Sequence, residues 1–292
     1  RELFVETCNH LFETYSKLIP PLTAQIEQTF PKDPPISTTA YTAALRAKVL
    51  DCLRGLLPAS AMTNMGVFGN GRFFESLLQK LQFQNLAEMQ EIGKKSLQEL
   101  NKVIPSFIRR ADASHKHFQS MNDFYESMHS EIHQFAQHHT NSIDKMEQPG
   151  VRLIDSDPDC VAKLAGALLF SSSQGSLEQL QAYCKQLPEE EISRILDAAS
   201  SSRENRRHKS PRALEHASFT FEILADFGVY RDLHRHRILT QERQLLTCRY
   251  GYYVPPEIQG TEMEKEYAAA MERAKKAYDI ISSELPEEAQ YV

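Results

Sequence analysis

No stretch of this 292-residue chain approaches the roughly 20 consecutive apolar residues that a membrane-crossing helix needs. No positively charged leader precedes an apolar core either, so the expectation is a cytoplasmic protein with no membrane partner. Cysteine is sparse: Cys8, Cys52, Cys160, Cys184 and Cys248 are scattered, odd in number and without Cys-x-x-Cys spacing. That usage argues against a disulfide framework or a structural zinc site and suits reduced cytosol. A basic excess is lacking too. The formal net charge is −6, whereas a nucleic-acid protein profits from a basic domain, so no nucleic-acid partner is expected. The arginines concentrate between Arg203 and Arg249, and positive potential confined in this way to an acidic body suits one small anionic ligand better than a polymer.

What is present is enough apolar residue, 41%, for one large core or two modest ones. Helical spacing dominates the first half. The segment around Phe12 to Ile26 reads as a helix, and the loop Phe30-Pro31-Lys32-Asp33-Pro34-Pro35 separates it from the next. After Ser37-Thr38-Thr39, residues Tyr41, Leu45, Val49, Cys52, Leu53 and Leu56 recur at helical intervals. Phe73, Phe74, Leu77, Leu78 and Leu81 do the same after Asn70-Gly71. These stripes read as core, whereas Asn70 and Arg72 sit where free N–H groups open a helix and an anion can be held.

From Leu86 to about His139 the pattern stays helical, interrupted near Pro105. His129 and His133 stand four apart, but the intervening residues are Ser130, Glu131 and Ile132. The His-Glu-x-x-His arrangement is therefore absent, and a solvated helix face is expected, with no metal. Asn141 to Cys160, with Pro149-Gly150 and Asp155-Ser156-Asp157-Pro158, is the expected boundary. Beyond it, helices are predicted around Cys160 to Phe170, Ser176 to Lys185 and Pro188 to Ser200, the last opened by Pro188 and Glu189-Glu190-Glu191. Ala217 to Leu224, with Phe219, Phe221 and Ile223 alternating, reads as a strand, and about Thr261 to Glu284 as a helix. The fold class expected is α+β, rich in helix, with a small antiparallel sheet.

The segment Arg231-Asp232-Leu233-His234-Arg235-His236-Arg237, continued through Gln241-Glu242-Arg243 to Thr247-Cys248-Arg249-Tyr250, carries the chemistry. Arginines beside a core segment are costly to desolvate unless each holds an anion, and their planar forks match phosphate or carboxylate. Upstream stand His208-Lys209-Ser210-Pro211 and Glu215-His216-Ala217-Ser218-Phe219-Thr220-Phe221. Together these motifs resemble the flavin-dependent thymidylate synthases, the ThyX type. The stretch from Arg235 to Tyr250 is two residues longer than the signature of that family, and its central Asn-Glu either reads here as Gln241-Glu242 or is displaced. Two extra residues also separate Ser210-Pro211 from Glu215.

The first half resembles the C-terminal half of the same family through Arg54-Gly55-Leu56-Leu57-Pro58, Thr63 and Asn70-Gly71-Arg72. Leu81 stands where the family has an arginine that helps to polarise the uracil ring, and leucine offers neither charge nor donor. The order of the halves is inverted, which implies the middle of a longer protein with two fused repeats. Residues 1–112 would be the second half of one repeat, 113–150 a helical connector, and 151–292 the first half of the next. The start at Arg1 is in keeping with a fragment. The last helix leads into Glu288-Ala289-Gln290-Tyr291-Val292 much as Tyr41 to Leu53 leads into Arg54–Pro58. Gln290 would then replace the arginine of the second corner.

The resemblance implies an FAD-dependent enzyme of dTMP biosynthesis that methylates dUMP to dTMP with methylenetetrahydrofolate and NADPH. It implies that Ser210, Arg235, His236 and Arg237 hold the flavin, with Asn70, Arg72 and Ser76 contributing from the other lobe. Arg54 and Arg249 would hold the nucleotide, with Thr247 nearby. Asp232 replaces a glutamine that touches it, and a carboxylate there would repel a phosphate unless protonated or paired with Arg231 or Arg235. The family builds its sites where subunits meet, which implies a homo-oligomer or a pseudo-symmetric fused dimer. The alternative, favoured by Leu81 and the altered signature, is a catalytically degenerate module that binds flavin or nucleotide or serves assembly only.

Overall fold

The computed structural model describes every residue except Pro34, Asn141 and residues 144–148. Part of the loop expected at residues 30–35, and the start and middle of the boundary expected from residue 141, therefore lie outside the described residues. The chain forms two compact units, Arg1–Lys145 with Asp226–Val292, and Met146–Ala225. The stretch 226–292 thus shares a unit with the first part of the chain.

In the first unit, α1 (Glu2–Thr29) runs through Pro20 and Pro21, where each proline removes a backbone donor from the helix. The buried stripe Thr7, Leu11, Thr14, Leu18, Leu22, Ile26 recurs every three or four residues, and burial of each large aliphatic side chain contributes about 1.5–3 kcal/mol. This outweighs the local cost of the prolines and carries the helix beyond the Phe12–Ile26 core of the pattern. α2 (Thr38–Leu53) is capped by the Ser37 hydroxyl, which accepts from the Ala40 N–H at 3.2 Å, and ends in a 3-10 turn, Arg54–Leu56. α3 (Gly71–Gln82) begins at the Asn70 cap. α4 (Ala87–Asn101) and the short α5 (Pro105–Ile108) follow, the latter opened by Pro105 where the sequence pattern breaks.

α6 (Lys116–His139) packs by its first half, with the Phe118 and Tyr125 rings 4.9 and 5.4 Å from Phe83. Its residues from His129 onward are exposed. His133 approaches the Gln137 side chain at 2.9 Å, and among the described residues no three His, Cys, Asp or Glu side chains converge as metal ligands. No described helix is long and apolar enough to cross a membrane. The main core joins Leu11, Leu18, Leu22, Val49, Leu53, Leu56, Ile258 and Tyr267. A satellite of Leu78, Ile108 and Ala111 lies under α3 and α5.

The second unit pairs β1 (Gly150–Ser156) antiparallel with β2 (Phe219–Leu224), with a bulge between Leu153 and Asp155. β1 falls in the stretch read as a boundary, although Val151-Arg152-Leu153 alternates as a strand should. Arg152 lies opposite Glu222 and bonds its carboxylate, the Nε contact being 3.1 Å. α7 (Cys160–Phe170), α8 (Leu177–Cys184) and α9 (Glu189–Ala198) appear where predicted and bury Ala162, Ala165, Cys184 and Ile192. α7 approaches α8 at Gly166, where a Cβ would come within 3.2 Å of Gln181 backbone. The whole is a helix-rich α+β protein with one two-stranded antiparallel sheet among the described residues.

Candidate functional site

The first unit brings two of the sequence motifs to one cleft. Gly55, Leu56 and Pro58 of the Arg54–Pro58 corner line it together with Cys248, Gly251, Tyr252, Met271, Ala274, Lys275 and Val292. The corner is held by burial, since Leu56 is fully enclosed, and by the close stacking of Gly55 on Tyr267, whose hydroxyl donates to the Tyr253 carbonyl at 3.2 Å. Burial pushes the Tyr267 hydroxyl up to about 12. Cys248 is half-buried, and desolvation, with Asp279 adding to it, raises its thiol above the ordinary range. A thiol kept protonated in this way is a small apolar wall of the cleft and no nucleophile at neutral pH.

Arg54 is half-exposed and lies 3.6 Å from Asp51. Its guanidinium also rests against the backbone of Gly228, where a Cβ would be 3.0 Å from Nη2. Gly228 belongs to α10 (Phe227–Leu233), capped by Asp226, whose carboxylate accepts from the Val229 N–H at 3.0 Å. Asp232 lies one turn further along this helix. It forms no ion pair with Arg231 or Arg235, the pairing that would relieve its charge beside a phosphate. His234, exposed, stacks on Tyr230 with ring centroids 5.4 Å apart.

From His234 to Thr261 the chain is turns and irregular structure. Gln241 ties this loop to α10 by donating to the Leu233 carbonyl at 2.9 Å. The Thr247 hydroxyl accepts from the Arg249 N–H at 3.2 Å. Arg231, Arg235, Arg237 and Arg249 are all exposed, and no carboxylate pairs with any of them among the described residues. A run of guanidinium groups without anions is a donor set that suits a phosphorylated ligand.

The other predicted residues are not joined to this set by any hydrogen bond or ion pair among the described residues. Asn70 spends its side-chain oxygen on the Phe73 N–H at 3.0 Å, as the cap of α3. Arg72 and Ser76 are exposed on the first turns of that helix. Ser210 belongs to the second unit, in an exposed loop whose preceding turn is closed by Asn205, which accepts from the Arg207 N–H at 2.9 Å. Leu81 packs on α4, where a Cβ on Gly93 would lie 3.1 Å from its Cβ.

The helix-rich α+β fold thus carries a loop in which Arg235, Arg237 and Arg249 have no carboxylate partner among the described residues. Residues 152–292 match the sequence model of the family described as thymidylate synthase complementing protein, which bears out the resemblance over that part of the chain. The match contains Ser210, Asp232, Arg235, His236, Arg237, Thr247 and Arg249, while Arg54, Asn70, Arg72 and Ser76 lie outside it. The chain is similar to a Chlamydia muridarum protein described as UPF0159 protein, 51% identical over all of this chain and 55% of the relative. A Chlamydia pneumoniae protein of the same description shows the same identity and coverage. A Thermoplasma acidophilum UPF0159 protein is 30% identical over 95% of this chain and 58% of its own length. The chain thus spans little more than half the length of the curated relatives it matches. No solved structure matches it.

Proposed function

We propose that this chain forms part of a flavin-dependent thymidylate synthase, in which dUMP is methylated to dTMP. The observation that carries the reading is the row of exposed arginines without carboxylate partners, Arg231, Arg235, Arg237 and Arg249, in the unit where Arg54 and the 247–252 segment adjoin one cleft. When bound, FAD, with NADPH as reductant and methylenetetrahydrofolate as one-carbon donor, supplies the hydride and carbon chemistry. The chain's own residues supply charge and orientation. Arg235, His236 and Arg237 offer donors for the flavin phosphates, and Ser210, Arg72, Ser76 and Asn70 complete that set by resemblance. Arg249 and Arg54 hold the nucleotide phosphate, each beside a residue that walls the cleft, and Thr247 fixes the backbone of Arg249.

Two repeats in one longer protein form part of the same proposal. In support of it, α2 runs into the 3-10 turn Arg54–Leu56, and α11 (Glu262–Ser282) is followed by another, Glu288–Tyr291. A homo-oligomer or pseudo-symmetric dimer in the cytoplasm would complete the sites. The second reading is a degenerate module kept for binding or assembly. It is favoured by the packing of Leu81 on α4, which fills the expected arginine position with a structural side chain.

Turnover by the full-length protein separates the two. With dUMP, methylenetetrahydrofolate, NADPH and FAD, chromatography should show dTMP, and Arg249→Ala or Arg54→Ala should lower kcat/KM about 10- to 100-fold, the worth of a charge-assisted phosphate contact. Flavin binding without product would favour the degenerate module.

A further inference from the structure

By resemblance Gln290 is a lost charge, a glutamine where a second corner would carry arginine. In the structure it is a hydrogen-bonding hub. Its Oε1 accepts from the Leu246 N–H at 3.0 Å and from Arg243 Nη1 at 3.4 Å. Its Nε2 donates to the Glu287 carbonyl at 3.0 Å and lies 3.4 Å from the Glu287 carboxylate.

The turn that bears it is anchored on three sides. Tyr291 accepts from the Ser60 N–H at 3.2 Å through its carbonyl, and its hydroxyl donates to Glu88 at 2.6 Å. Asn85 donates to the Glu287 carboxylate at 3.2 Å, and Ala289 is fully buried between these contacts. Ser60 lies two residues beyond the Arg54–Pro58 corner, and Leu246 stands one residue before Thr247. A single carboxamide therefore ties the arginine-rich loop to a turn that is bonded to the segment just after the other motif.

We infer that Gln290 is a positioning residue for the anion site: it fixes the 243–249 loop so that Thr247 and Arg249 are held relative to the Arg54 corner. What Arg249 binds rests on the function proposed above. The work requires an acceptor and a donor on one side chain. Arginine has donors only; at this position it would face the Leu246 N–H and the Arg243 guanidinium with like polarity. Restoring the residue of the resembled family should therefore damage this site.

Gln290→Ala, Gln290→Arg and Gln290→Glu in the full-length protein test this by two readouts, amide hydrogen exchange and the binding and kinetics of dUMP. In the alanine and arginine variants the Leu246 amide should exchange about five- to tenfold faster, the effect of one net hydrogen bond, with the α11 amides unchanged. The KM for dUMP should rise by a similar factor with kcat little altered. Gln290→Glu keeps an acceptor for Leu246 and Arg243 but loses the donor and sets a second carboxylate beside that of Glu287, so its Leu246 protection should fall between those of the wild type and the alanine variant. Unchanged Leu246 exchange in the alanine and arginine variants, or nucleotide affinity equal or tighter in Gln290→Arg, would overturn the inference. If the wild-type protein binds no dUMP, the functional reading fails, and the Leu246 exchange alone decides whether Gln290 holds the loop.

Discussion

Replacing Gly55 by alanine places a methyl group 2.4 Å from the Tyr267 hydroxyl oxygen and 3.6 Å from its Cζ. Tyr267 is 2% exposed and cannot swing into solvent, so the ring must shift within a packed core and release its bond to the Tyr253 carbonyl. The lost hydrogen bond is worth about 1 kcal/mol, and overpacking of this kind costs about 1–3 kcal/mol. Alanine regains about 0.4–1 kcal/mol by restricting the unfolded chain. The expected net destabilisation is about 2 kcal/mol. Tyr267→Phe removes the clashing oxygen and leaves the Tyr253 carbonyl unpaired, at about 1–2 kcal/mol. In that background the methyl of Gly55→Ala meets only Cζ, at ordinary contact distance, so the double variant should be about as stable as Tyr267→Phe alone. Urea denaturation followed by circular dichroism and tyrosine emission measures this directly, since the chain has no tryptophan. A double variant whose loss equals the sum of the two singles, within about 0.5 kcal/mol, would refute the assignment of Tyr267 as the reason for glycine in the corner.

Two further outcomes follow from the same geometry. Burial, with the Glu257 hydrogen bond adding to it, pushes Cys52 from 9.0 to about 11, and burial pushes Tyr267 from 10.0 to about 12. The folded state keeps both neutral while the unfolded state ionises, so their contribution is intact below pH 9 and is lost as pH rises from 9 towards 12. Each shift is of order 2–3 kcal/mol, and Cys52→Ala should flatten the fall in urea midpoint between pH 9 and 11. Asn70→Ala should cost about 1 kcal/mol through the lost cap of α3. Asn70→Asp should recover that stability, and weaker flavin binding in the aspartate variant would then report the ligand role separately from the cap.

Helices with an apolar stripe were legible from the sequence, in α2 and α3 because local periodicity and a capping residue agree there, and in α9 because Pro188 and the glutamates after it open the helix. α1 extends past its obvious pattern because the burial that sustains it comes from distant segments around Val49, Leu53 and Tyr267. β1 was missed because its short apolar signal, Val151, Leu153 and Ile154, lies between two groups of turn residues, and its partner lies some 70 positions away in sequence. Among the site residues, the run of arginines was legible as a cationic segment, whereas its lack of carboxylate partners was not. Its approach to the Arg54–Pro58 corner was not, since that depends on how α10 and the loop after it pack. Gln290 shows the limit of matching by type: what counts there is a carboxamide's mixed polarity towards Leu246 and Glu287, visible only with the turn in place.

The central claim is that the arginine-rich loop and the Arg54 corner serve a flavin and a pyrimidine nucleotide. Absorbance of the purified full-length protein with added FAD, followed by titration with dUMP, tests it most directly. The account predicts a protein-bound flavin spectrum that shifts on adding nucleotide, and loss of that shift in Arg249→Ala with flavin still bound. Flavin that washes away from the full-length protein, or a spectrum indifferent to the nucleotide, would contradict it.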